Sequence, residues 1–197
     1  MTLQTSDHLL RDGQRQTVLD ASRPLFDPVA LGYRPTMRTT ACIRGYVCGF
    51  ELLGGVLRLH TLAINHQPGR APITRRRQPP DLNGVAAIER PDDLVADWHF
   101  EGVALPLAFT GGLLVGFDRR AVARSASGWR AAWLYAHVRE LVFEAGALVA
   151  ETVLDESIAP IRERALAADK RFGLFRDVDY PALAACLAFD YDARART

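Results

Sequence analysis

Asp97, His99 and Glu101 are residue types that bind metal ions or move protons, and they alternate along LVADWHFEGVALPLAF, residues 94–109. In an extended strand alternate side chains leave the same face, with Cα atoms about 6.5 to 7 Å apart, so three polar side chains can converge on one ligand. Ala96, Trp98 and Phe100 fall on the opposite face, and a half-exposed strand with no function at all shows the same alternation.

Arg44 is the second candidate. Within TTACIRGYVCGFELLGGVLRLHTLAI, residues 39–64, it shares parity with Cys42, Tyr46, Cys48, Phe50 and Leu52. A guanidinium on an apolar face needs a partner or an opening to water. Arg44 with Tyr46 and His60 is therefore a candidate anion site, and an ion pair with Asp97 or Glu101 on a neighbouring strand is the structural alternative. Cys42 and Cys48 are thiols with His60 or His99 as conceivable bases, but their apolar neighbours favour inert buried cysteines.

Arg70, Arg75, Arg76 and Arg77 lie in NHQPGRAPITRRRQPPDLNG, residues 65–84, whose prolines and glycines mark a surface loop. Such a cluster can contact a partner protein or phosphates. The segment lacks interleaved aromatics, and 24 basic against 23 acidic residues leave a formal charge of +1, so bulk electrostatics do not support a nucleic-acid partner. The chain has no G-x-S-x-G, H-E-x-x-H, G-x-x-x-x-G-K-[ST] or G-x-G-x-x-G motif. No cofactor and no metal site is implied.

The elements that must position these residues follow from turns and periodicity. Gly54-Gly55 between apolar-rich runs suits a type I′ hairpin, because both central residues need positive φ. Pairing Leu53 with Val56 sets Glu51 opposite Arg58, Phe50 opposite Leu59 and Cys48 opposite Thr61, and the acid–base and aromatic–aliphatic pairs support that register. The inward face is then Cys42, Arg44, Tyr46, Cys48, Phe50 and Leu52, completed by Leu57, Leu59 and Ala63. Asp12-Gly13 marks a second hairpin within residues 8–19, Gly111-Gly112 a third joining residues 94–109 to 113–117, and Glu144-Ala145-Gly146 a fourth within 132–153, where a helix competes for the first half. Pro24 to Leu31 reads as a short helix or turn.

After residue 154 the period changes. Ile158, Ile161, Ala165, Ala168 and Phe172 lie on one helical face, with Ser157 as cap, Pro160 in the first turn and Gly173 as stop. A second short helix is expected over Pro181 to Phe189. These features define a single α+β domain, 1–197, mainly an antiparallel β-sheet (sandwich or partly open barrel) over 8–153, with C-terminal helices in 154–190. Three cysteines without C-x-x-C spacing indicate a reducing compartment. No segment approaches the roughly 20 apolar residues of a membrane span or the apolar stretch of a signal peptide, so a cytoplasmic protein is expected.

Thr40-Ala41-Cys42-Ile43-Arg44-Gly45-Tyr46, then Phe50-Glu51-Leu52 and Gly55-Val56-Leu57-Arg58-Leu59, resemble a group of uncharacterised bacterial proteins with a T-A-x-x-R-G-Y strand motif. Asp12-Gly13, Pro24-Leu25 and Ala96-Asp97-Trp98 are similar in order and spacing, so the resemblance covers roughly the first half of the chain. Ile43 and Phe50 stand where that pattern has tryptophans. The group carries no established activity. What it implies is an accessory bacterial protein, such as the immunity-type partner of a toxin. The leading expectation is a non-enzymatic binding protein that uses its sheet face and the loop from Gln67 to Asn83. The alternative is a small-ligand-binding or catalytic barrel around Arg44, Tyr46, His60, Asp97, His99 and Glu101.

Overall fold

In the computed structural model the described residues are 4–67, 78–120, 132–172, 185–189 and 191, with side chains in the final helix described through residue 164. The strands are β1 (His8–Arg11), β2 (Gln14–Ala21), β3 (Tyr46–Leu53), β4 (Val56–Ile64), β5 (Ile88–Glu89), β6 (Trp98–Pro106), β7 (Gly111–Arg119), β8 (Tyr135–Glu144) and β9 (Ala147–Val153), followed by α1 (Asp155–Phe172). They form one large sheet in the order β3-β1-β2-β7-β8-β9-β4-β6-β5, and β3 also pairs with β4. The sheet thus returns on itself as a ring, with β6 and β5 attached to β4. Closure between β4 and β9 is narrow. It rests on the Val56–Ala147 pairing and on Leu57 N–H to Gly146 O and Leu148 N–H to Gly55 O, both 2.8 Å.

The turn chemistry is realised where two left-handed residues are available. Gly54 and Gly55 have φ of 59° and 76°, and Asp12 and Gly13 have 50° and 75°. Ala145 and Gly146, at 47° and 88°, make the β8–β9 reversal, and β8 prevails over the competing helix. Leu53–Val56, Leu52–Leu57, Glu51–Arg58 and Phe50–Leu59 pair across β3–β4.

Beyond that point a bulge corrects the expected register. Gly49, not Cys48, faces Thr61, and Cys48 faces Leu62, which leaves His60 as the extra residue on β4. A bulge shifts the strand by one residue and so reverses which side chains point inward. Leu62 and Ile64 are accordingly buried with Leu57 and Leu59, whereas Ala63 is only partly covered. Cys42 and Arg44 precede β3 instead of lying on it.

The sheet is mainly antiparallel, as expected, with one parallel pairing, and two further expectations are corrected. β1 pairs with β3 in parallel, so the sheet is mixed; residues 22–45 give the chain length for the crossover that a parallel neighbour requires. β6 and β7 are not a hairpin, because β6 pairs with β4 and β5 while β7 pairs with β2 and β8. One α-helix is present among the described residues. It starts at Asp155, two residues before the expected cap, because the Asp155 carboxylate accepts the Val138 N–H at 2.8 Å and so ties the helix start to β8. Of the second helix expected over Pro181 to Phe189, residues 181–184 lie outside the described residues, and residues 185–189 form turns and bends. The short element near Pro24 to Leu31 is a 3-10 turn, Val29–Leu31. No helix among the described residues is long and apolar enough to cross a membrane.

Two apolar clusters result. The inner one fills the ring with Leu9, Phe50, Leu57, Leu59, Phe100, Leu113, Leu141 and Phe143 among others. The outer one packs Ile158 and Ile161 of α1, with Trp133 and Tyr191, against Leu114 and Val138.

Candidate functional site

The six ligand-binding candidates do not converge on one centre. The Arg44 guanidinium bonds the Asp7 carboxylate, donates Nε–H to the Tyr46 carbonyl at 2.7 Å and lies 4.5 Å from the centre of the Tyr46 ring. Burial works against the Arg44 cation, but the Asp7 carboxylate overcomes it and raises the Arg44 pKa above its ordinary value. Asp7 stands in the segment before β1, so the partner of Arg44 is neither Asp97 nor Glu101.

Those residues are taken up elsewhere. Asp97 pairs with Arg38, which also donates to the Pro91 carbonyl at 2.9 Å. His99 lies 3.4 Å from Asp93 and 3.2 Å from the Ala96 carbonyl. Glu101 pairs with Arg90 at 2.5 Å. Asn65 bonds both Val95 O and Asp97 N–H, so this network staples residues 90–97 to the end of β4. Arg44 and Tyr46 are brought together, while Asp97, His99, Glu101 and His60 take separate partners. Arg70, Arg75, Arg76 and Arg77 lie outside the described residues.

His60 projects from the bulge, 3.9 Å from Glu51. Beside it is a notch that requires glycine, since a Cβ at Gly49 would lie 2.2 Å from Thr61 Oγ1 and 2.6 Å from His8 Nε2. Burial first, and Arg15 second, lower the His8 pKa from 6.5 to about 4. The unfolded chain therefore binds a proton that the folded chain rejects between these two values, and stability falls as pH drops through this window. Chemical denaturation from pH 7 to 4 is expected to show this loss, and His8→Gln is expected to flatten that part of the profile. An unchanged profile in the variant removes the role assigned to His8.

A constellation not read from the sequence lies on the inner face of the ring. Leu9 is inward and opposite Gln16, so Arg11 and Gln16 share its face by alternation. Val115 and Leu141 are inward, which places Phe117 and Arg139 on the same surface, and Glu151 faces Leu141. At this end the lining changes from apolar to charged. Glu151 accepts from Arg11 Nη2 at 2.8 Å and from Arg139 Nη1 at 2.5 Å, and Arg139 lies 5.4 Å from the Phe117 ring centre. The hydrogen bond from Arg11 leads in holding Glu151 below the usual carboxylate range, and the bond from Arg139 adds to it against burial.

Arg11 and Arg139 share Glu151, and Arg11 Nε also lies 3.6 Å from the exposed Asp12 carboxylate. Arg11 Nη1 and Gln16 Oε1 are buried without hydrogen-bond partners, and Gln16 is 2% exposed. Such groups cost about 1–3 kcal/mol each when left unpaired. The sequence signal was available in the parity of Leu9 with Arg11 and of Arg139 with Leu141 and Phe143, a charge on an otherwise apolar strand face.

A separate shallow cavity of about 350 Å³ is lined by Arg23, Pro24, Leu25, Leu107, Ala108 and Phe109, and so by none of the candidates above. Among the described residues, no cluster of three His, Cys, Asp or Glu side chains is arranged to hold a metal ion. Cys42 and Cys48 are free and buried, and burial raises the Cys48 thiol well above its ordinary pKa. Comparison of the chain with protein-family models, curated proteins and solved structures finds no match.

Proposed function

We propose that this is a non-enzymatic binding protein that takes the polar group of a small ligand at the Arg11–Glu151–Arg139 end of its ring. The observation that carries the reading is the unpartnered donor, Arg11 Nη1, beside the unpartnered acceptor, Gln16 Oε1, on one inner face. A hydroxyl group supplies both an acceptor and a donor, and a carboxylate on the same ligand adds acceptors for the guanidiniums. The mouth of a strand-built ring is a common place for such a site. Catalysis draws no support from Asp97, His99 and Glu101, whose carboxylates and imidazole are engaged in holding residues 90–97.

The test is an NMR titration of the full chain with glycolate as a hydroxy-acid probe and methylammonium as a cationic control. Saturable shifts at Leu9 to Arg11, Gln16 and Arg139 are expected with glycolate alone, and Gln16→Leu is expected to abolish them. Equal shifts with both probes, or none with either, overturn the reading.

A second reading, an accessory protein engaging a partner protein as an immunity-type factor does, is favoured by exposed apolar residues at the closure. Leu53, Val56 and Val149 are 52%, 41% and 51% exposed, and they lie near one another because Leu148 N–H bonds Gly55 O. Leu53→Glu with Val56→Glu is expected to remove a captured partner from a host lysate. If the capture is unaffected, that surface is not the interface.

A further inference from the structure

Two anchored segments flank the cavity of about 350 Å³ and leave one cation on its wall. The first runs from Ser22 to Leu25. Ser22 donates its N–H to Gly112 O at 2.9 Å, and its Oγ accepts the Gly112 N–H at 3.0 Å. Pro24 follows with φ fixed by its ring, and Leu25 packs on the inner apolar cluster. Arg23 therefore extends from a backbone that is held on both sides.

The second segment, Leu107 to Phe109, connects β6 to β7. Leu107 donates its N–H to Leu57 O at 3.0 Å, and Phe109 O accepts the Gly146 N–H at 2.7 Å. Phe109 is 4% exposed and meets Phe143 edge-on, with ring centres 5.9 Å apart. Gly111 makes room for that ring, since a Cβ there would stand 3.2 Å from Phe109 Cζ. Both walls of the cavity are thus tied to the core, which lowers the ordering cost of binding.

Arg23 lies over the Phe109 ring, its guanidinium carbon 5.6 Å from the ring centre. The ring face attracts and orients the cation, but it takes up none of its charge-assisted hydrogen bonds. Among the described residues the Arg23 side chain has no carboxylate partner and no hydrogen bond, and it is exposed. A guanidinium placed this way beside Leu25 and Leu107 keeps its N–H fork open to a planar anion.

We propose that this cavity binds a small monocarboxylate with an apolar body, the class that benzoate represents. The carboxylate accepts two N–H bonds from Arg23 as a bidentate pair, while the body covers Leu25 and Leu107. Among the described residues a single charged side chain lines the cavity, which suits a monoanion better than a phosphate dianion. The volume is at the small end of the roughly 300–1,000 Å³ of ligand pockets. The site shares no residue with the Arg11–Gln16 end of the ring and stands or falls independently of the ligand proposed there.

The test is an NMR titration of the full chain with benzoate, with benzamide, which has the ring without the charge, and with formate, which has the charge without the ring. Saturable shifts of the Arg23, Leu25, Ala108 and Phe109 amides are expected with benzoate. Its affinity is expected to exceed that of benzamide about tenfold or more, as one charge-assisted pair predicts. Formate buries no apolar body and is expected to bind more weakly than benzoate.

Arg23→Gln alters an exposed side chain and is expected to bring benzoate down to the affinity of benzamide at an unchanged melting temperature. Benzamide or formate binding as well as benzoate overturns the proposal, as does full benzoate affinity in Arg23→Gln. Silence of the four amides does the same. Benzoate shifts confined to Leu9 to Arg11, Gln16 and Arg139 also overturn it, and they leave the inner end of the ring as the carboxylate site.

Discussion

Asp7→Ala is expected to destabilise the protein by about 2–4 kcal/mol, with Arg44 as the cause. The Asp7 Oδ1 atom bonds the Arg44 guanidinium and accepts the Cys48 N–H at 2.6 Å, so one substitution strands a cation and a backbone donor together. Breaking a buried ion pair from one side typically costs about 3–5 kcal/mol, and the figure is reduced here because the Arg44 side chain is 34% exposed. The double variant Asp7→Ala with Arg44→Met removes both charges and is expected to recover part of the loss. Urea denaturation of the two single variants and the double variant measures the coupling. If the double variant loses the sum of the two single effects, Arg44 and Asp7 are not a pair.

Gly146→Ala is the second large effect, about 3 kcal/mol or more. Gly146 has φ of 88°, and a Cβ there would lie 2.1 Å from the Leu107 carbonyl oxygen. Its backbone is already committed, with its N–H on Phe109 O at 2.7 Å and its carbonyl accepting from Leu57 at 2.8 Å. Neither the glycine nor the carbonyl can move away without opening the ring where β9 meets β4. The left-handed conformation costs an alanine about 1–2 kcal/mol, and the clash adds a similar or larger overpacking penalty.

Gly102→Ala is the matched control, since its φ is 68° and no atom lies within 4 Å of the added Cβ. It is expected to lose only the conformational share. For a chain of this size each kcal/mol moves the melting temperature by about 2–4 °C, so calorimetry separates the two variants. Equal melting temperatures contradict the closure described for β4 and β9.

What was legible in the sequence was local. Turn residues announced three of the reversals, at Asp12-Gly13, Gly54-Gly55 and Glu144-Ala145-Gly146, and the Glu51–Arg58 and Phe50–Leu59 pairs followed from the Gly54-Gly55 turn alone. His60 marks where that reasoning stops. A bulge inserts a residue without a local composition signal, and the inward set passed from Leu57 and Leu59 to Leu62 and Ile64 instead of Ala63. Gly111-Gly112 looked like another hairpin turn, yet those residues begin β7, where a side chain at Gly112 would strike Tyr191 Oη at 2.3 Å. That glycine answers a packing demand, which leaves the same trace in the sequence as a turn.

The site was less legible than the fold because its partners are remote. Arg11 and Glu151 are 140 residues apart, and only the order β1-β2-β7-β8-β9 brings their strands around one interior. Arg44 was singled out as a charge on an apolar strand face, whereas it stands before β3 and is paired there. Its partner, Asp7, lay in a segment with no strand pattern to place it. Asp97, His99 and Glu101 were placed opposite Trp98 and Phe100 as expected, but alternation orders side chains along one strand and says nothing of what the neighbouring segments bring to them.

The most direct measurement is an atomic-resolution crystal structure of the protein purified from its own host, inspected at the inner end of the ring. The account predicts a non-protein group hydrogen-bonded to both Arg11 Nη1 and Gln16 Oε1, with Glu151 held between Arg11 and Arg139. Arg11 Nη1 and Gln16 Oε1 bonded to each other, or turned outward to solvent, would contradict it.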